Sequence, residues 1–427
     1  MNDSLVELTV EGLAFGGAGV ARAADGVTVF VRGGYPGDVA LARFGRRKKR
    51  WAEADAARII TPSPQRRQPV CPLAESCGGC PWMGFDYPAQ LEWKRRIVRE
   101  LFVRIGKLEV EPEPAAGGTQ TGYRARVRMR VTGDEKGAQL AFRRAASNAL
   151  VPVRSCAVAS GAVNAAIAQV NGCLAARPGF AAGVEEIEIE ASGHGGRVVV
   201  TPRGAGPSRG DMEALLAAGG AVRGGAVARD KGPALYGDPY LETSLGEGVA
   251  LRHGPGAFTQ VNPEQNLVLI RRAMDMARPT PGTTALDLYC GIGNFSFPLA
   301  LAGMAVTGVD SSKAAAEDAV YNRGRLGVSL ADFTREDAVH AAARFAAREL
   351  AFDAVILDPP RGGAAELIAD AAKLARQRIV YISCDPPALA RDAAALNQLG
   401  FAPRRLALVD MFPHTAHIES VLLMERR

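Results

Sequence analysis

The sequence predicts a multidomain protein: an N-terminal β-barrel of the OB-like kind, a central α/β domain with a metal-cluster loop, and a C-terminal Rossmann-like α/β domain. Three observations carry this. Residues 1–60 hold short Val-rich runs separated by Gly pairs, Asp-Gly and Pro-Gly-Asp, which are turn signals at hairpin spacing. The stretch "CPLAESCGGCPW" places Cys71, Cys77 and Cys80 within ten residues. From about residue 256, strands and helices alternate, the pattern of a parallel sheet covered on both faces. A chain of 427 residues also exceeds one ordinary core, so two or three domains are expected.

Composition sets the class. Hydrophobic content of 48% and charged content of 22% are those of a globular protein. No apolar run approaches the roughly 18 residues of a membrane helix. The start "MNDSLVELTVEG" lacks the basic residues and apolar core of a signal peptide. A cytoplasmic protein without membrane contact is expected. The net charge is +6, and its excess lies in the first third: residues 1–150 hold 24 Lys and Arg against 16 Asp and Glu, the remaining 277 hold 27 against 29. An acidic polymer can dock on such a surface; a solvated basic face is the plain alternative. Seven cysteines, an odd number, argue against a disulfide framework and for metal binding or catalysis where they cluster.

Taken in order, five short strands over "SLVELTVEGLAFGGAGVARAADGVTVFVRGGYPGDVALARF" would close a small barrel, a platform that elsewhere carries single-stranded nucleic acid. "RRKKR" (Arg46 to Arg50) follows it, and the Pro-rich "TPSPQRRQP" (Thr61 to Pro69) reads as a linker. Helical periodicity over Tyr87 to Gly106 puts Leu91, Ile97, Val98, Leu101 and Ile105 on one side. "YRARVRMRV" alternates strictly, so Arg124, Arg126, Arg128 and Arg130 share a strand face. Four such charges repel unless an anion lies along them: a phosphate backbone is the economical reading, acids of the same domain the other. Residues 160–235 are Ala- and Gly-rich and carry no clear pattern. Asn262 is a plausible N-cap with Pro263 at the first helical position. Four strand ends then follow in "TALDLYCGIGNFSFPLALA", "AVTGVDSS", "FDAVILDPPR" and "QRIVYISCDPP".

"LDLYCGIGNF" is a strand, a Gly-rich turn and a helix start. Gly291 and Gly293 let the backbone approach a ligand at the strand's carboxyl edge. Asp310 ends the next strand, where a carboxylate can accept from ribose hydroxyls, and Asp337 lies where an acid can reach an adenine amino group. No Gly-Lys-Ser/Thr follows Gly293, so a nucleoside without phosphates fits better than ATP or NAD. That points to S-adenosylmethionine. The plain alternative is a doubly wound sheet with ordinary turn glycines.

The C-x5-C-x2-C spacing of Cys71, Cys77 and Cys80 brings three thiols to one loop, and Cys156 in "VPVRSCAV" is the best fourth ligand. All-Cys coordination suits zinc or an iron–sulfur cluster, and spacing alone does not choose. Cys173 has no assigned role. Cys384 in "YISCDPP" sits where a strand ends, since Pro386 and Pro387 cannot continue a ladder. It is a packed thiol, a metal ligand or a nucleophile, and the metal reading is the weakest because the other cysteines already make a four-thiolate set. Beside a methyl donor, a thiolate adding to carbon 6 of a pyrimidine would make carbon 5 electron-rich, and a base must then remove the carbon 5 proton. Glu419 in "FPHTAHIESVLL" is the candidate base, His414 and His417 shape its loop, and Asp358 in "LDPPR" ends a strand beside the same pocket.

"LDLYCGIGNFS", "LDPPR", "YISCDP" and "PHTAHIE", in this order and spacing, resemble the RNA uracil-5 methyltransferases. "CPLAESCGGCPW" with Cys156 is similar to the iron–sulfur site of their bacterial ribosomal-RNA branch, and residues 1–60 to its N-terminal TRAM domain. The resemblance implies Cys384 as nucleophile and Glu419 as base. It implies S-adenosylmethionine contacts from Gln260, Tyr289, Asn294, Asp310, Asp337 and Asp358, and a 4Fe-4S cluster on Cys71, Cys77, Cys80 and Cys156. Residues 1–62 would bind RNA, 63–86 and 118–255 would form the cluster domain, and 87–117 with 256–427 the methyltransferase domain. The partner expected is RNA, 23S ribosomal RNA ahead of transfer RNA. No obligate protein partner is expected, and the chain is read as a monomer. A transfer-RNA uridine methyltransferase and a non-catalytic RNA-binding assembly factor are the alternatives. Two departures stand out: Asp385 where the family usually has Asn, and Asp310 where it more often has Glu.

Overall fold

The computed structural model describes residues 5–134, 137–193, 195–230 and 232–427. Strands β1 (Leu5–Leu13), β2 (Gly19–Arg22), β3 (Thr28–Arg32), β4 (Val39–Arg47) and β5 (Trp51–Thr61) close a barrel in the order β1-β2-β3-β5-β4. Alternation fills it: Leu8, Val10, Val29 and Val31 point inward, and β5 contributes the alanines Ala52, Ala54 and, partly buried, Ala56, small enough for a narrow interior. The expected five strands are present, with one correction. "RRKKR" does not follow the barrel but turns the corner between β4 and β5, because the fifth strand comes after it. The Pro-rich segment after β5 is no loose linker either. Asp38, fully buried, accepts from the Ser63 N–H at 2.8 Å and takes a two-point ion pair from Arg66 at 2.7 Å.

Helix α1 (Tyr87–Leu101) runs into a π-helical turn, Phe102–Gly106. Ile97, Val98 and Phe102 join a core with Leu389, Ala390 and Ala393 near the C-terminal end of the chain. Ile105 was expected on that buried side but is 43% exposed. The wider π turn rotates the register after Leu101, so Phe102 and Gly106 face inward instead. A Cβ on Gly106 would stand 2.9 Å from the Ala390 carbonyl oxygen, which explains a glycine there.

The second sheet collects β6 (Arg126–Asp134), β7 (Gly137–Arg143), β8 (Leu150–Pro152), β9 (Val184–Ser192), β10 (Gly195–Pro202), β11 (Val222–Val227) and β12 (Ala234–Gly237), in the order β12-β11-β10-β9-β6-β7-β8. Helices α2 (Gly161–Ala176), α3 (Pro178–Ala182) and α4 (Arg209–Ala217) cover one face, burying Val163, Ile167, Val170 and Met212. The hairpin β13 (Leu241–Gly246) and β14 (Val249–His253) leads to the third layer.

There α5 (Pro263–Ala277) begins as expected, with Asn262 accepting from the Gln265 N–H and Pro263 in the first turn. Next come β15 (Thr284–Leu288), α6 (Ser296–Leu301), β16 (Ala305–Asp310), α7 (Lys313–Leu326), β17 (Ala331–Arg335), α8 (Ala338–Ala347), β18 (Phe352–Leu357), α9 (Ile368–Leu374), β19 (Ala375–Ser383), α10 (Pro386–Gln398), β20 (Phe401–Val409) and β21 (Glu419–Arg426). Their order is β17-β16-β15-β18-β19-β21-β20. The first five strands are parallel, with the direction of winding reversing between β15 and β18, and β21 inserts antiparallel between β19 and β20. The crevice beyond the carboxyl ends at such a reversal is where open α/β sheets bind ligands. Among the described residues no helix is long and apolar enough to cross a membrane.

Candidate active site

Tyr289, Asn294, Asp310, Asp337 and Asp358 follow or end strands at that carboxyl edge, while Gln260 lies on the segment before α5. Tyr289 follows β15 in the left-handed region at φ 65°, as do Gly291 at 56° and Gly293 at 96°. A left-handed tyrosine costs about 1–2 kcal/mol and is held only by its surroundings. The Gly291 N–H donates to Asp310 Oδ2 at 2.9 Å, and the Ser312 N–H to Oδ1 at 2.7 Å. Asp310 therefore ties the ends of β15 and β16 together, with lone pairs left for a ligand hydroxyl. Asp337 caps α8 by accepting from the Val339 and His340 N–H groups. Asn294 and Asn266 exchange amide hydrogen bonds at 2.9 and 3.0 Å. Gln260 is half-buried on the segment after β14, where Thr259 donates to Glu190 at 2.6 Å.

Two strands bring the candidate nucleophile and base together. Ser383 of β19 pairs with Ser420 of β21, the last pair of that ladder, so the flanking residues Cys384 and Glu419 lie at the same end of the two strands. Glu419 is 4% exposed, and Cys384 is half-buried. Burial pushes the Cys384 thiol up, Glu419 and Asp358 add to this, and the Arg361 guanidinium opposes it. Burial, then Asp358, lifts Glu419 well above the usual carboxylate range. Asp358 is itself pushed up to about 7 by burial first and by Asp287 and Asp310 next. These carboxyls form a buried acidic group that a cation would stabilise. Asp385 turns away from it: its side chain caps α10 through the Ala388 N–H at 3.1 Å. Asp and Asn both serve that role, so the departure at 385 has a local structural reason.

Cys71, Cys77, Cys80 and Cys156 line one cavity of about 680 Å³, together with Arg124, Arg361, Phe412 and His417. The thiols feel one another: burial raises Cys77, and burial with Cys156 and Cys77 lifts Cys80 to about 12. As placed, no group of three or more His, Cys, Asp or Glu among the described residues could hold a metal ion.

The arginine face resolves towards the second of its two readings. The β6–β9 register sets Arg126, Arg128 and Arg130 opposite Glu190, Glu188 and Glu186. Arg128 pairs with Glu186 and Glu188, Arg130 with Glu185 and Glu186. Acids of the same domain lie along this part of the stripe; the acids at alternate positions in "VEEIEIE" are the signal that could have found them.

Sequence reasoning missed three further features. Asp287, mid-strand in β15 and fully buried, is pushed up to about 7 by burial and accepts from Ser296. Arg361 lines the thiol cavity and also acts on Cys384. Lys94 of α1 is buried against Asp410 at 2.6 Å, with Tyr87 donating to the other carboxylate oxygen at 2.8 Å. A Lys in a basic helix and an Asp more than 300 residues later carry no local signal of that pairing.

Comparison with known proteins adds four matches. A family model described as tRNA (uracil-5-)-methyltransferase matches residues 244–427. A 23S rRNA (uracil(1939)-C(5))-methyltransferase of Chromohalobacter salexigens is 36% identical, over 98% of this chain and 89% of that protein. One from Pseudomonas aeruginosa is 34% identical, over 98% and 93%. Among solved structures, the Pyrococcus abyssi tRNA (uracil-54, C5)-methyltransferase in complex with S-adenosyl-L-homocysteine superposes with a TM-score of 0.75 at 25% identity, covering 98% of this chain and all of that one.

Proposed function

The chain belongs to the RNA (uracil-C5)-methyltransferase family, and from that premise we propose that it methylates carbon 5 of a uridine in 23S ribosomal RNA through a covalent Cys384 adduct. The observation that supports the mechanism is the β19–β21 register, whose last pair, Ser383 with Ser420, leaves the neighbouring Cys384 and Glu419 at the edge where β15, β16 and β18 run out into Tyr289, Asp310 and Asp358.

In this reading Cys384 Sγ bonds to carbon 6 of the uracil, and the electrons of the 5,6 double bond make carbon 5 nucleophilic. S-adenosylmethionine supplies the electrophilic methyl group when bound. Glu419 then takes the carbon 5 proton, the carbon 6–sulfur bond breaks, and the double bond re-forms as the thiolate leaves. Glu419 is held towards its neutral form in the free protein, and a cation among these acids lets it ionise. Arg361 opposes the acids around the thiol and favours its thiolate. Gln260, Tyr289, Asn294, Asp310, Asp337 and Asp358 would hold the donor. The base must leave its stack to enter.

Cys71, Cys77, Cys80 and Cys156 would hold a 4Fe-4S cluster with a structural role. Four thiols lining one cavity are an all-Cys set of the kind that suits zinc or an iron–sulfur cluster, and the resemblance of their spacing to the iron–sulfur site of the ribosomal-RNA branch favours the cluster. The barrel, residues 1–62, is the proposed RNA platform. Residues 63–86 with 118–255 would form the cluster domain, and 87–117 with 256–427 the methyltransferase domain.

Cys384→Ala should abolish methylation and keep donor binding; retained turnover would sink the mechanism. Glu419→Gln should accumulate a covalent protein–RNA adduct on denaturing gels. Mapping 5-methyluridine with and without the gene tests the substrate: a change confined to transfer RNA would replace 23S RNA, and no tritium release from uracil-5-labelled RNA would favour a non-catalytic binding role.

A further inference from the structure

The loop between β20 and β21 joins Val409 to Glu419, which pair across its base. It contains His414, a non-glycine at φ 66°. Two polar groups of this one residue, its backbone N–H and carbonyl, are held by the segment that follows Cys80. The His414 N–H donates to Gln90 Oε1 at 3.0 Å, and its carbonyl accepts from the Trp82 N–H at 3.0 Å. Its Nδ1 lies 3.3 Å from Gln90 Nε2. Gln90 is fully buried and also donates to the carbonyls of Trp82 and Phe85, at 3.0 and 2.7 Å. The Gln90 side chain is thus a three-point tie with water excluded: Oε1 accepts from His414, and the two Nε2 hydrogens serve Trp82 and Phe85. Tyr123 fastens the neighbouring residue, donating to the Pro413 carbonyl at 3.1 Å.

We propose that Gln90 is a positioning residue for the base: by holding His414 in its left-handed conformation it fixes the loop that delivers Glu419 to the substrate. This rests on the mechanism proposed above. The nucleophile is carried by other chain segments, because Cys384 lies between β19 and α10, outside the loop from Val409 to Glu419. Loosening the strap therefore leaves the carbon 6–sulfur bond able to form. It slows the later step, in which Glu419 removes the carbon 5 proton and the carbon–sulfur bond breaks. The signature is a change in partition between steps, which a general loss of folded enzyme does not produce.

The test uses full-length protein. Gln90→Met keeps the buried volume without the polar atoms, and Gln90→Glu keeps the acceptor for the His414 N–H. For Gln90→Met, kcat should fall about tenfold or more, as misplacement remote from the chemistry can do, with KM for the methyl donor unchanged within about twofold. The share of protein in denaturation-stable RNA adduct at steady state should rise about threefold or more, with Gln90→Glu intermediate. Adduct at the wild-type share in a folded Gln90→Met protein overturns the proposal, whether turnover is kept or lost. Should that variant not fold, Gln90→Glu decides by the same measure. Failure of the underlying mechanism is distinguishable, since the otherwise native protein with Glu419→Gln would then trap no adduct.

Discussion

Asp358 offers a test in which the acidic group at the site is read through ligand binding. Its carboxyl is pushed from 3.8 up to about 7, so free protein carries a proton there at pH 6 and has lost most of it by pH 8. The proposed donor brings a sulfonium cation, which favours the ionised carboxylate, so binding is linked to release of that proton. With a free-state value of about 7 and the carboxyl fully ionised in the complex over this range, apparent Kd scales as one plus ten to the power (7 − pH). It therefore tightens about tenfold from pH 6 to pH 8. S-adenosylhomocysteine has nearly the same shape without the charge, and its profile should be much flatter. Titration calorimetry of both ligands, in two buffers of different ionisation heat, gives Kd and protons released at each pH. Asp358→Asn should flatten the donor's profile towards that of the homocysteine. Parallel profiles for the two ligands, or an unchanged slope in Asp358→Asn, would refute the reasoning. Stability follows the same sign: the raised folded-state value makes the native protein bind the extra proton, so the stabilisation is present below about pH 4 and is lost as pH rises through 7.

Other outcomes follow from particular contacts. Lys94→Met strands the Asp410 carboxylate, buried at 0% exposure, and should cost about 3–5 kcal/mol in urea unfolding, with much of the loss recovered by adding Asp410→Leu. Gly293→Ala sets a Cβ 2.5 Å from the Phe297 ring at φ 96°, so donor binding by equilibrium dialysis should weaken by about tenfold or more while the barrel and second sheet stay folded. Protein purified without oxygen should be brown and contain iron and acid-labile sulfide in equal amounts, with Cys80→Ser losing both; zinc in their place would end the cluster reading.

The parts of the fold legible in the sequence were those written in local period. Alternation and Gly turns announce the barrel, and apolar runs ending in Asp310, Asp358 and Cys384 announce the parallel sheet. What escaped depends on partners far along the chain. The arginines of β6 look like a phosphate track until β9 supplies glutamates in register, and those lie in the stretch from 160 to 235 that composition leaves blank. Ile105 continues the helical stripe, but a π turn, which periodicity does not encode, rotates it to solvent. Cys384 and Glu419 could each be placed at a strand end. Their adjacency needed the antiparallel insertion of β21, a choice of pairing that neither strand's own residues determine.

The strap on His414 bears on modularity. The segment matched by the family model, residues 244–427, holds the whole third sheet, with Cys384, Glu419 and every strand-end acid. It resembles a unit that could be exchanged or reused alone. Yet Trp82, Gln90, Lys94 and Tyr123, which grip its last loop, all belong to chain more than a hundred residues upstream. A protein cut to residues 244–427 would keep the seven-stranded sheet but lose the contacts from Trp82, Gln90, Lys94 and Tyr123 to the loop before Glu419, the proposed base. Domain boundaries drawn from sequence similarity would thus separate the part that can be copied from the part that makes it work.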